Sequence, residues 1–111
     1  MTFLATQQIR FDATYRGEGG GYGAGTFYVR AEFQSAHRYA LVTAHERQTL
    51  ELLRVRYEAS DLGVLALELL AESIYFSLVA ALPKLSAVAV SEPTWHQAPP
   101  LNWVVYTPGG A

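Results

Sequence analysis

Few side chains in this 111-residue sequence are equipped for chemistry. Cysteine is absent, which removes a thiol nucleophile, a disulfide framework, a zinc ribbon and a redox pair from consideration. Three histidines remain: His37, read as the end of a strand, His45, read as part of a first helical turn, and His96 in a late loop. Trp95 and Trp103 can stack on a flat ring, although burial at an interface is the commoner use of tryptophan. Glycines at 17, 19, 20, 21, 23 and 25 crowd one short stretch, and such a run can wrap a phosphate with its backbone N–H groups. No strand–loop–helix context and no following Lys accompany it, so a hairpin loop is the plainer reading. Glu68 and Glu72 read as a solvated stripe on a helix.

Bulk properties narrow the field further. Eight Lys and Arg against ten Asp and Glu leave a net charge of −2, which gives no basic field to draw in nucleic acid. With 50% apolar and 13% aromatic residues the chain is no disordered tail. Its length suits one domain over residues 1–111, with a real but modest core. The first sixteen residues mix charged and polar side chains where a signal peptide has a continuous apolar stretch, and a cytoplasmic protein is expected. Residues 62–82 are apolar over about the length a membrane span needs, roughly 20 residues. Glu68 and Glu72 fall near the middle of that stretch, where each is costly in hydrocarbon, so it reads as a buried amphipathic helix.

The elements that must position these groups follow from periodicity. In residues 2–16, Ile9, Phe11, Ala13 and Tyr15 occupy alternate places, the pattern of a strand with one buried face. After the glycine-rich loop, Phe27, Val29, Ala31 and Phe33 alternate with Tyr28, Arg30, Glu32 and Gln34, which completes an antiparallel hairpin. The period then changes. Thr43 and Glu46 have the spacing of a capping box, and Leu50, Leu53 and Tyr57 share a helical face, so residues 44–59 are expected to be helical. A strand over residues 53–58 also fits, because Leu53, Val55 and Tyr57 alternate. Ser60 and Asp61 are expected to cap a second helix over residues 62–82, ended by Pro83. Residues 85–90 and 101–107 read as strands either side of a turn-rich loop. The expected order is β-β-α-α-β-β: an α+β fold with a four-stranded antiparallel sheet and two helices on one face. A helix as apolar as the second is expected to meet another subunit.

That order, with the run Glu68-Leu69-Leu70-Ala71-Glu72-Ser73-Ile74-Tyr75 and its continuation through Leu82-Pro83-Lys84-Leu85 to Val90-Ser91-Glu92, resembles the 6-pyruvoyltetrahydropterin synthase and 6-carboxytetrahydropterin synthase family of the T-fold. There a helix opening with Glu runs to a Pro, and the strand that follows ends in Glu-Thr. Phe27 and Val29-Arg30-Ala31-Glu32 look like that family's second strand. The resemblance implies that Glu92 is the ligand-binding residue, matching the carboxylate that anchors the pterin. A carboxylate can accept paired hydrogen bonds from the amino and ring N–H groups of a pterin or guanine edge. Pro93 stands where the family has Thr.

The same resemblance exposes what is missing. The family's Phe-x-Ala-Ala-His-Arg becomes Phe11-Asp12-Ala13-Thr14-Tyr15-Arg16, with Tyr15 in place of a zinc-binding His. Its His-Gly-His becomes Gly23-Ala24-Gly25, and its catalytic Cys has no counterpart. In this register no metal and no other cofactor is expected. A second register sets Phe33-Gln34-Ser35-Ala36-His37-Arg38 on the His-bearing motif. His37 and His45 then become metal ligands, with His96 left to complete a triad.

The resemblance therefore implies a homo-oligomer with sites between subunits that binds a pterin or guanine-type small molecule, with altered lyase chemistry or none. Neither a nucleic acid nor a membrane is an expected partner. Three alternatives stand beside it: a structural protein that keeps the assembly without the ligand, a zinc-dependent pterin synthase using His37 and His45, and an enzyme like dihydroneopterin aldolase. The last is echoed by Glu92-Pro93 and Ala98-Pro99, with that family's Lys missing.

Overall fold

The structure, a computed structural model, describes residues 3–35 and 42–109. The alternation at the N-terminus forms two long strands, β1 (Phe3–Arg16) and β2 (Tyr22–Ser35), paired antiparallel from Phe3 opposite Ser35 to Arg16 opposite Tyr22. Between them the glycine run closes a tight loop through Gly17 N–H to Gly21 O (2.9 Å) and Gly20 N–H to Gly17 O (3.0 Å). Gly20 takes φ +84°, a conformation that favours glycine.

Helix α1 (Ala44–Tyr57) begins where the capping box places it. Thr43 Oγ1 accepts from Glu46 N–H (3.1 Å) and Glu46 Oε1 accepts from Thr43 N–H (2.8 Å), so two orphan donors of the first turn are satisfied reciprocally. Helix rather than strand is thus the outcome for this segment.

The second helix differs from expectation at its start. Residues 60–64 are not helical: β3 (Ser60–Val64) lies parallel to the end of β1, with Ala13 opposite Ser60 and Arg16 opposite Val64. Two local features explain it. Ala59, at φ 58°, turns the chain back after α1 and donates to Asp12 O (2.8 Å). Asp61 Oδ1 accepts from Gly63 N–H (2.9 Å), and Gly63 sits at φ +71°, so the aspartate builds a local turn instead of capping a helix. Helix α2 (Leu67–Leu78) also ends before Pro83, in a turn where the Ala81 and Leu82 N–H groups donate to Leu78 O, and among the described residues no helix is long and apolar enough to cross a membrane.

Strands β4 (Leu85–Ser91) and β5 (Trp103–Tyr106) complete a five-stranded mixed sheet in the order β3-β1-β2-β4-β5. The expected four-stranded antiparallel sheet is therefore corrected by one parallel edge strand. Both helices lie on one face, as the pattern implied. Leu50 and Leu53 of α1 and Ala71, Ile74, Tyr75 and Leu78 of α2 pack into one buried cluster with Phe11, Phe27, Val29, Val88 and Val90 of the sheet. The opposite face presents Asp12, Thr26, Tyr28, Arg30 and Trp103, and among the described residues no helix covers it. There Arg30 lies over the Trp103 ring at 4.7 Å. It reaches across β4 because Ala89, its partner on that strand, is small.

Candidate functional site

The geometry around Glu92 begins with the pairing of β2 and β4. Val29 stands opposite Val90, and Thr26 stands opposite Thr94 in an isolated bridge. Phe27 and Tyr28 are thus opposed by three residues, Ser91, Glu92 and Pro93, which makes a β-bulge. The fully buried Ser91 repairs the ladder at its start: its Oγ accepts the Tyr28 N–H at 2.9 Å. Beyond the bulge, Thr26 N–H donates to Thr94 O (3.0 Å) and Thr94 N–H to Thr26 O (2.9 Å). Glu92 therefore sits between two fixed points on a strand that bends locally, a setting in which bulges re-aim side chains.

Asn102, just before β5, holds Glu92 twice. Glu92 N–H donates to Asn102 O (3.2 Å), and Asn102 Nδ2 donates to Glu92 Oε1 (3.1 Å). The carboxylate is half-buried and uses one of its roughly four lone-pair sites on Asn102, leaving Oε2 free to accept. Sequence reasoning missed Asn102, because only the pairing of β4 with β5 brings it to Glu92.

The positions matched to the family's zinc ligands also converge. Tyr15 pairs with Gly23 and Ala13 with Gly25, so all three matched positions share the helix-bearing face at the turn end of the hairpin. The space an imidazole would need there is filled. A Cβ on Gly23 would fall 2.7 Å from Tyr15 Cζ, and one on Gly25 would fall 2.9 Å from the Cβ of Pro93. Tyr15 packs edge-on against Phe27 at 5.9 Å. Pro93, the neighbour of Glu92, thereby closes this end of the hairpin.

The histidines do not gather. His45 Nε2 lies 3.3 Å from Ala81 O, before β4 begins, whereas His96 follows β4 in the loop beyond Glu92. The seven residues of β4 alone span roughly 20 Å. His37 lies outside the described residues. Among the described residues no cluster of three or more His, Asp or Glu could hold a metal ion.

Comparison with solved structures supplies the decisive likeness. The chain superposes on the structure of Caenorhabditis elegans 6-pyruvoyl tetrahydropterin synthase with a TM-score of 0.73, covering 96% of each chain at 12% sequence identity. This chain has the T-fold. No protein-family model and no curated protein sequence matches it. Such a distant likeness carries the T-fold architecture and leaves function to the residues. Those residues do not suit a zinc ion at the matched positions. Tyr15 fills the space beside Gly23, Pro93 fills the space beside Gly25, and neither glycine offers a donor side chain. At the end of β4, Glu92 offers a carboxylate held by Asn102.

Proposed function

We propose that this single-domain protein binds a pterin or guanine-type ring through Glu92, without the zinc and thiol chemistry of the synthases it resembles, in a cytoplasmic setting. The observation that carries the reading is the hold on Glu92, a half-buried carboxylate set in a bulge at the sheet end and oriented by Asn102. A carboxylate fixed in this way accepts the amino and ring N–H groups of such an edge together, as a paired, charge-assisted contact. With Tyr15, Gly23 and Gly25 at the ligand positions, no residue set there activates a substrate carbonyl or water through a metal. Binding, with altered lyase chemistry or none, is what the remaining groups support.

Titration of the purified protein with pterin and with guanine, followed by ligand fluorescence and calorimetry, tests the reading. Glu92→Gln is expected to weaken binding by about 1.5–3 kcal/mol, the usual worth of a hydrogen bond to a charged group. Unchanged affinity in that variant would exclude Glu92 as the anchor. Metal analysis of the same preparation tests the zinc-free part, and stoichiometric zinc would overturn it.

A homo-oligomer with sites between subunits belongs to the same proposal. Leu69 and Phe76 on α2 are 67% and 58% exposed, and the outer edge of β1 over residues 3–11 has no strand partner among the described residues. Such surfaces favour association. The same observations support the second reading, an assembly that has lost its ligand; failure of both titrations in an intact oligomer would favour it.

A further inference from the structure

The helix-free face of the sheet holds a cavity of about 470 Å³ that the Glu92 reading does not use. This volume lies within the usual range of small-molecule sites, roughly 300–1,000 Å³. Its floor is set by Asp12, Thr14 and Thr26 on β1 and β2, and its walls by Ala59 and the loop that carries Thr94, Trp95, His96 and Gln97. Glu92 is not among its lining residues.

Three features make this more than a surface hollow. First, the buried Thr26 hydroxyl donates to Asp12 Oδ1 at 2.6 Å. That bond fixes the carboxylate and leaves Oδ2 to accept from a ligand. Asp12 makes no ion pair among the described residues. Second, Trp95 is 71% exposed, which wastes the burial a tryptophan ordinarily supplies, and its ring stands edge-on to His96 at 4.8 Å. Third, the loop behind it is held in a costly conformation. His96 and Gln97 take φ 53° and 58° in succession, a left-handed backbone that L side chains rarely adopt. The Tyr28 hydroxyl donating to Gln97 O (2.9 Å) and Ala98 N–H donating to Trp95 O (3.1 Å) hold it there.

We infer that this cavity binds a planar aromatic ring bearing a protonated or N–H-rich nitrogen edge, with the ring against Trp95 and the nitrogen edge on Asp12. An indole face attracts such a ring and its charge, and a pre-oriented carboxylate accepts its N–H groups. Arg10 and Arg54 line an adjoining cleft that shares Asp12 and Gln97, so an anionic ligand is the competing occupant. Gly25 and Thr94 also line the cavity, so it lies close to the position assigned to Glu92, but the carboxylate it presents is that of Asp12.

Benzamidine, flat and cationic, is the probe, and benzoate, of the same shape and opposite charge, is its control. Calorimetry and tryptophan fluorescence on the full chain are expected to show saturable benzamidine binding, with benzoate at least about tenfold weaker. Asp12→Asn, which keeps an acceptor for Thr26, and Trp95→Ala are each expected to weaken benzamidine by about tenfold, with unchanged circular dichroism. Glu92→Gln is expected to leave benzamidine binding as it was, even where it weakens pterin binding. The inference is overturned by any of four results: no saturation at about 10 mM probe, benzoate binding as well as benzamidine, indifference to both cavity variants, or equal loss in Glu92→Gln.

Discussion

The ring of Tyr15 lies over Gly23, its cross-strand partner, so closely that a Cβ on Gly23 would come within 2.7 Å of Tyr15 Cζ. The two residues divide one space between them. Gly23→Ala is expected to destabilise the protein by about 1–3 kcal/mol, because Tyr15 must leave its edge-on contact with Phe27. In a Tyr15→Ala background the same change should be neutral or stabilising by about 0.4–1 kcal/mol, since alanine narrows the unfolded ensemble. A double-mutant cycle by urea denaturation measures the sign change.

Gly25 faces a less yielding neighbour. A Cβ there would meet the Pro93 ring at 2.9 Å and Thr94 O at 3.2 Å, and neither belongs to a flexible side chain. Gly25→Ala is expected to displace the Pro93–Thr94 segment at a cost of about 1–3 kcal/mol. Hydrogen exchange should report it as faster exchange of the Thr26 and Thr94 amides, which now bond one another across the strands.

Ser91→Ala removes the acceptor of the Tyr28 N–H at a fully buried position. Leaving that donor unpaired is expected to cost about 1–3 kcal/mol, read as a lower urea midpoint with an unchanged slope.

Thr43→Ala dismantles the capping box of α1 and is expected to cost about 1 kcal/mol. For a domain of this size that lowers Tm by about 4 °C, and Thr43→Ser should recover most of it.

The hydrogen bond from Arg54 holds the Glu51 carboxyl below its ordinary value. Its contribution to stability is therefore present above the unfolded-state pKa and is lost as the pH falls through the folded one. Because the pair is open to solvent, Glu51→Gln should leave Tm at neutral pH essentially unchanged. The small difference that remains between the two proteins should narrow on the acid side in thermal melts taken across pH.

How much of this was legible in the sequence depended on how local the cause was. The alternation of Phe27, Val29, Ala31 and Phe33 and the Thr43–Glu46 spacing act within a few residues, and both read correctly as hairpin and helix start. Residues 60–64 misled, because an apolar run with a preceding Ser-Asp pair satisfies the pattern of a capped helix. What decides that segment is the free outer edge of β1 at residues 13–16, which only the folded hairpin presents. Glu92 was proposed through resemblance, whereas Asn102 carries no local signal of its bond to it. Asp12 and the cavity it lines were overlooked for a related reason. Alternation assigned Asp12 to the polar side of its strand, and nothing in the chain announced that Trp95 would arrive there from another loop.

The bulge at Ser91, Glu92 and Pro93 has a consequence for how this protein can change over generations. One extra residue is accommodated between the Val29–Val90 and Thr26–Thr94 pairs, and it is this count that bends the strand at Glu92, so the length of the stretch matters more than its spelling. Replacement of Pro93 by another residue preserves the count. Deletion of a single codon anywhere from 91 to 93 would set two residues against two, so that Thr94 still meets Thr26 but the bend that aims Glu92 is lost. Related chains should therefore vary in residue identity here while resisting gaps, with insertions diverted to the loop beyond Trp95.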